Sequence, residues 1–264
     1  MTAVGDGHLL HVEGLTKTFG ALRAVEGVRF AVAAGQIYAI IGPNGAGKTT
    51  VFNLITGSTS ATAGSVRFKG GEVLGRPEHE VTNLGLARTY QNLRLFHNMT
   101  VRENVMVGRH CRSRTGIRDV LFRTARQRQE EAAIAEQATH LLRFVGIEEY
   151  AEELARSIPY GSQKRLEIAR ALATEPNLLL LDEPAAGMNP QETADLIALI
   201  ERIRKEGRTI LLIEHDMRVV MGISDQILVL DHGVTIAEGT PSQIQRDERV
   251  IEAYLGRRSV RGPA

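Results

Sequence analysis

Nine residues constrain this chain more than any others: Gly42-Pro43-Asn44-Gly45-Ala46-Gly47-Lys48-Thr49-Thr50, preceded by the apolar run Ile37-Tyr38-Ala39-Ile40-Ile41 and followed by Val51-Phe52-Asn53-Leu54-Ile55. A strand, a glycine-rich loop and a helix in that order make a phosphate-binding loop. Gly42, Gly45 and Gly47 admit backbone conformations closed to other residues, so successive N–H groups from Asn44 to Thr50 converge on a polyphosphate. Lys48 meets the β- and γ-phosphates, Thr49 offers its hydroxyl to Mg²⁺, and the helix beginning near Gly47 turns its positive end to the same anion. The loop predicts a nucleotide without saying what the nucleotide drives.

With 264 residues the chain has room for one large α/β unit and an insertion. A net charge of +1 carries no global argument for nucleic acid. The single cysteine, Cys111, excludes an intramolecular disulfide, and no apolar run reaches the length of a membrane span. Met1 to His8 lacks the features of a signal peptide, so a soluble, cytosolic chain is expected.

Short β-like runs, His8 to Val12 and Val28 to Val32, separated by Gly14, Gly20 and Gly27, predict a small antiparallel sheet before the phosphate loop. Phe19 within it either packs on the sheet or stacks on a purine. Ser65 to Lys69 is a further strand, Arg76-Pro77 starts a short helix, and a strand over Leu86 to Tyr90 ends at Gln91, where parallel sheets hold ligands. From Val101 to Gly146 the apolar period becomes helical, so a helical insertion interrupts the α/β core. Within it Arg109, Arg112, Arg114, Arg118, Arg123, Arg126 and Arg128 form either a solvated face or a contact with lipid headgroups or a partner protein. The run has no interleaved aromatics, which argues against a single-strand nucleic-acid platform.

A helix from about Ser162 to Thr174 leads to Leu178-Leu179-Leu180-Leu181-Asp182-Glu183, and four consecutive leucines describe a strand buried on both faces. Two acids at its carboxyl end are costly unless they face a site. Asp182 fits the acid of a Mg²⁺ shell, and Glu183 the base that polarises water for attack on a γ-phosphate. The next strand, Thr209 to Ile213, ends in Glu214-His215-Asp216, and beside those two acids His215 reads as a γ-phosphate contact. A hairpin over Gln226 to Glu238 and helical pieces from Pro241 to Leu255 close the fold.

In this order, the phosphate loop, Gln91, Ile158-Pro159-Tyr160-Gly161-Ser162-Gln163, Asp182-Glu183 and His215 resemble the ATP-binding subunits of ABC transporters, from Phe19 to about Leu255. Tyr160-Gly161, Arg165 to Arg170, Glu183 to Pro190 and Ile213 to Met217 look like the larger ATPase of branched-chain amino-acid uptake systems. The resemblance implies a phosphate-loop ATPase core with a mostly parallel sheet, an N-terminal antiparallel β subdomain and an inserted helical subdomain. Residues 8–256 would form one ATP-binding domain. Of these, 8–90 and 176–256 would be the nucleotide-binding core with its β subdomain, and 91–175 the helical subdomain bearing the signature; 257–264 would be a frayed tail.

It further implies that Phe19 stacks on adenine, that Gln91 sits at the γ-phosphate and the metal, and that Tyr160, Gly161 and Ser162 meet the nucleotide of a second, identical or sister, ATPase. ATP and Mg²⁺ would be bound by a peripheral protein on the cytoplasmic side of the membrane. Separate permease subunits and, indirectly, an extracytoplasmic solute-binding protein would be its partners, with no nucleic acid. Related activities left open are lipid or lipopolysaccharide export and a soluble mechanochemical ATPase. Three positions depart from the family pattern: Pro159 stands where a serine hydroxyl is usual, Ser162 where glutamine is usual, and Asn189 where aspartate is common.

Overall fold

The computed structural model describes residues 7–112 and 125–255. Arg114, Arg118, Arg123, the side chain of Arg126 and the tail at 257–264 lie outside the described residues.

Two sheets frame the molecule. The first is antiparallel, in the order β2-β1-β4-β5, built from β1 (His8–Phe19), β2 (Leu22–Ala33), β4 (Ala63–Phe68) and β5 (Gly71–Glu72). The separate short runs expected before Val32 are two strands of 12 residues each. Gly14 and Gly27 fall at register shifts of the β1–β2 ladder, where an extra residue bends a strand and lets it continue. Only Gly20 lies in the turn between them.

The second sheet runs β10-β9-β3-β8-β7-β6, comprising β3 (Ile37–Ile41), β6 (Leu86–Arg88), β7 (Leu178–Asp182), β8 (Thr209–Ile213), β9 (Gln226–Asp231) and β10 (Val234–Gly239). All its pairings are parallel except β9 with β10. Alternation decides what each face buries. Leu178 and Leu180 join Tyr38 and Ile40 in the core between the sheets, which also holds α1 (Lys48–Ile55) through Val51, Phe52, Leu54 and Ile55. Leu179 and Leu181 join Ile37, Ala39 and Ile41 in the core beneath the other helices. The leucine run is therefore buried on both faces, as its composition demands.

That second core takes in α3 (Val101–Arg109), α4 (Ala125–Val145), α5 (Tyr160–Leu172), α6 (Pro190–Lys205) and α7 (Met217–Ile223); α2 (Glu78–Leu84) precedes β6, and α8 (Pro241–Ile244) and α9 (Glu248–Leu255) end the described chain. The strand expected over Leu86 to Tyr90 stops at Arg88. Thr89 still donates to the Leu180 carbonyl, but the Tyr90 N–H is taken by the Glu167 carboxylate, which draws the chain out of the ladder. Helix α5 starts at Tyr160, two residues before the expected Ser162, because extended Pro159 serves as its N-cap. Arg109 and Arg112 face inward. Arg109 pairs with Glu175, and Arg112 donates to the carbonyls of Thr174 and Asn83. Among the described residues no helix is long and apolar enough to cross a membrane.

Candidate functional site

At the carboxyl end of β3 the chain turns through the phosphate loop into α1. The backbone is close-packed here. A Cβ on Gly42 would lie 2.0 Å from the Leu230 carbonyl oxygen, and one on Gly47, at φ +98°, 2.5 Å from that of Ala24. Only glycine lets the loop rest against β9 and β2 at once. Helix α1 has no side-chain cap, so its first N–H groups face outward unpaired, as an anion site requires.

The loop floors a cleft of about 710 Å³ lined by Phe19, Asn44, Gly45, Ala46, Gly47, Lys48, Thr49, Thr50, Gln91 and Glu183. Phe19 is 49% exposed, an aromatic face open to the cleft, and the Lys17 ammonium lies 4.7 Å from its ring centre. Lys48 is buried, and its Nζ donates to the carbonyls of Gly42 at 2.7 Å and Pro43 at 3.0 Å. Burial lowers the Lys48 pKa, while the carboxylates of Glu183 and Asp182 oppose that shift.

Glu183 follows β7 at φ +48°, a conformation rare outside glycine, and its N–H donates to the Ile213 carbonyl on β8. Gln91 Nε2 donates to Glu183 Oε2 at 2.7 Å. His215 Nδ1 lies 3.8 Å from the same carboxylate oxygen. His215 itself sits outside the cleft, on a ledge formed by Ala185, Ala186, Gly187 and Met188.

Asp182 is 1% exposed and does not line the cleft. Its Oδ2 accepts from Arg88 Nη2 at 2.6 Å, while Oδ1 is buried with no hydrogen-bond partner. Burial raises the Asp182 pKa, and Arg88 pulls it back down. An orphaned carboxylate oxygen and a loop hydroxyl are hard-oxygen donors of the kind that Mg²⁺ accepts, water included. Among the described residues no group of three or more His, Cys, Asp and Glu could hold a metal by itself. A metal here would thus depend on Thr49, Gln91, Asp182 and the nucleotide's own oxygens.

Tyr160, Gly161 and Ser162 do not line the cleft; they form the first turn of α5, with N–H groups that precede any intrahelical acceptor. Tyr160 is 45% exposed, and its ring lies against Gly187, where a Cβ would come within 3.2 Å of it. Several residues around the site escaped sequence reasoning. Leu22, Arg23, Ala24 and His232 also line the cleft. Arg88, sandwiched between the rings of Phe52 and Tyr90, bonds Asn53 as well as Asp182. Glu214, fully buried, accepts from the N–H groups of Ala185 and His215. An acid directly after an apolar strand was the available signal for Glu214; nothing local marks Arg88.

The chain is similar to known proteins along most of its length. The ABC transporter family profile matches residues 25–186, and that of the branched-chain amino acid ATP-binding cassette transporter matches residues 234–259. The chain is 49% identical over 249 residues to the high-affinity branched-chain amino acid transport ATP-binding protein BraF of Pseudomonas aeruginosa, covering 94% of this chain and 98% of that one. It is 45% identical to LivG of Escherichia coli, whose name is otherwise the same, with the same coverage. A solved structure of the ADP conformation of an ATP-binding cassette of an ABC transporter superposes with a TM-score of 0.82 at 32% identity, over 94% of this chain and 99% of that one.

Proposed function

Because the chain belongs to the ABC transporter family of ATP-binding proteins, we propose that it powers uptake of branched-chain or other hydrophobic amino acids through separate membrane permease subunits. The substrate class rests on the names of its relatives. The observation that carries the ATPase half is local: one cleft joins the phosphate loop, an exposed aromatic ring, Gln91 and Glu183.

The chemistry follows from those groups. Phe19 offers a face to the adenine, and the N–H groups from Asn44 to Thr50 hold the phosphates with Lys48, whose ammonium is already sequestered at the loop. Thr49, Gln91 and Asp182 would hold Mg²⁺, which when bound neutralises charge on the β- and γ-phosphates. Glu183 accepts a proton from water as the water oxygen bonds the γ-phosphorus. The bond from that phosphorus to the β–γ bridging oxygen breaks, and ADP leaves as the anion. His215, near the Glu183 carboxylate, serves the γ-phosphate side.

Two such subunits, identical or sister, would close on two nucleotides, each held between one chain's phosphate loop and the other's Tyr160-Gly161-Ser162. Closure is passed to the permeases, and residues 91–175 act as the helical subdomain that moves against the core of 8–90 and 176–256. The subunit is peripheral on the cytoplasmic side, and an extracytoplasmic binding protein delivers the solute. Purification with membrane partners tests this reading. Co-purified permeases and ATP-dependent uptake of leucine into vesicles are expected; co-purified RNA without permease would sink it.

A further inference from the structure

A second cavity, of about 180 Å³, opens where α4 meets the ends of α5 and α6, and it shares no lining residue with the nucleotide cleft. Part of its lining is apolar: Leu141 and Phe144 come from α4, Leu172 from α5 and Ile203 from α6. Two pairs of opposite charges line it as well. Arg109 and Glu175 neutralise each other at 2.7 Å. Glu206 and Arg208 do not, for among the described residues neither makes an ion pair, and Arg208 commits only Nη1, to the Pro176 carbonyl at 2.7 Å. Gly207, at φ +82°, turns the chain between them.

These groups describe a ligand. An uncompensated carboxylate takes an ammonium, an uncompensated guanidinium takes a carboxylate in its fork, and the apolar wall takes a hydrocarbon side chain. An α-amino acid with an apolar side chain carries all three. Volume points the same way, since clefts for drug-sized ligands run to about 300–1,000 Å³ and this one is smaller. We propose that this cavity is a regulatory site for a small hydrophobic amino acid in its zwitterionic form, held by Glu206 and Arg208. This rests on the reading that the chain powers uptake of such solutes, which makes the ligand the product that accumulates on the chain's own side of the membrane.

The effect of occupancy follows from which bodies line the cavity. Leu141, Phe144 and Leu172 belong to residues 91–175, the proposed helical subdomain, while Ile203, Glu206 and Arg208 belong to the core of 176–256. Arg202 already links the two, its guanidinium 4.7 Å from the centre of the Phe144 ring. A ligand that touches both bodies favours the one arrangement in which both reach it. A hydrolytic cycle that moves the subdomain against the core has to leave that arrangement, so the ligand slows turnover without touching the nucleotide. Rising product thereby damps further uptake.

Isothermal titration of the full-length chain alone, with L-leucine as the probe, reads the site apart from permeases and binding protein. A Kd of about 0.1–1 mM is expected. Isoamylamine and 4-methylpentanoate, which lack the carboxylate and the ammonium respectively, should each bind about tenfold more weakly or worse. Glu206→Gln and Arg208→Met should each weaken leucine by about tenfold, and Arg208→Lys, which keeps the charge, should recover part of the loss. In the complex reconstituted with its partners, about 10 mM leucine on the ATPase face should lower kcat about threefold and leave KM for ATP within about twofold. Glu206→Gln should match the wild-type rate without leucine and ignore its addition. No leucine binding up to about 10 mM, equal binding of the two truncated probes, or an affinity indifferent to both charge substitutions would overturn the site. Binding with no change in kcat would overturn its regulatory role. Failure of the underlying reading is separable, since it would appear as a complex that takes up no hydrophobic amino acid, whatever the isolated chain binds.

Discussion

The amide of Gln91 donates to the carboxylate of Glu183 across 2.7 Å, joining residues that lie 92 positions apart. Glu183 is fixed from its other side as well, by a left-handed backbone and an N–H bond to Ile213 on β8. A carboxylate held by Gln91 at its side chain and by a sparsely populated backbone conformation at its root is presented to the cleft in a fixed position.

Arg88 and Asp182 form an ion pair whose side chains are 5% and 1% exposed. Arg88→Met should destabilise the fold by about 3–5 kcal/mol, because it leaves a buried carboxylate without its partner. Asp182→Asn in the same chain should recover part of that loss. Chemical denaturation of the single and double variants measures both.

Asn189 caps α6: its Oδ1 accepts from the N–H groups of Gln191 and Glu192, and Glu192 Oε2 accepts from the Asn189 N–H. Asn189→Ala should cost about 1 kcal/mol. Asn189→Asp, the residue common in the family, keeps the cap and should gain about 0.3–1 kcal/mol from the helix's positive end. Thermal melts of the two variants decide the point.

Much of this was legible in the sequence because its signals are local. The phosphate loop announces itself by spacing, and Leu178 to Leu181 by being apolar at both parities. Asp182 and Glu183 follow from their place at a strand's end. What stayed hidden depends on partners distant in sequence: Arg88 meets Asp182 across 94 positions, and Lys164 meets Gln91 across 73. Glycines misled in β1 and β2, since a register shift and a turn use the same residue.

Glu214 is fully buried, and burial raises its pKa above the ordinary carboxylate range, against the pull of the Ala185 and His215 N–H groups and the neighbouring His215. A carboxyl raised on folding adds stability below its unfolded pKa, and that contribution is lost as pH rises through the folded value. Glu214→Gln does not titrate. The difference in Tm between variant and wild type should therefore move in the variant's favour from acidic to neutral pH, and a difference that ignores pH would contradict this assignment.

Pro159 caps α5 without a side-chain bond. In the proposed complex with a sister ATPase, the site on the partner's phosphate loop would lack a charge-assisted hydrogen bond worth about 1.5–3 kcal/mol. Pro159→Ser should strengthen closure there by roughly ten- to a hundredfold and speed turnover only at that site. It should also steady the helix by about 0.5–2 kcal/mol as a true N-cap. Site-resolved hydrolysis, with each glutamate disabled in turn, reads the asymmetry.

The proposed role of Glu183 as the base of ATP hydrolysis is read out by single-turnover hydrolysis in Glu183→Gln within the assembled complex, measured beside ATP affinity. Affinity should be unchanged, hydrolysis at this chain's site slower by about 10²–10⁴-fold, and a closed, ATP-bound dimer should accumulate. Hydrolysis at the wild-type rate would contradict it and place the base elsewhere.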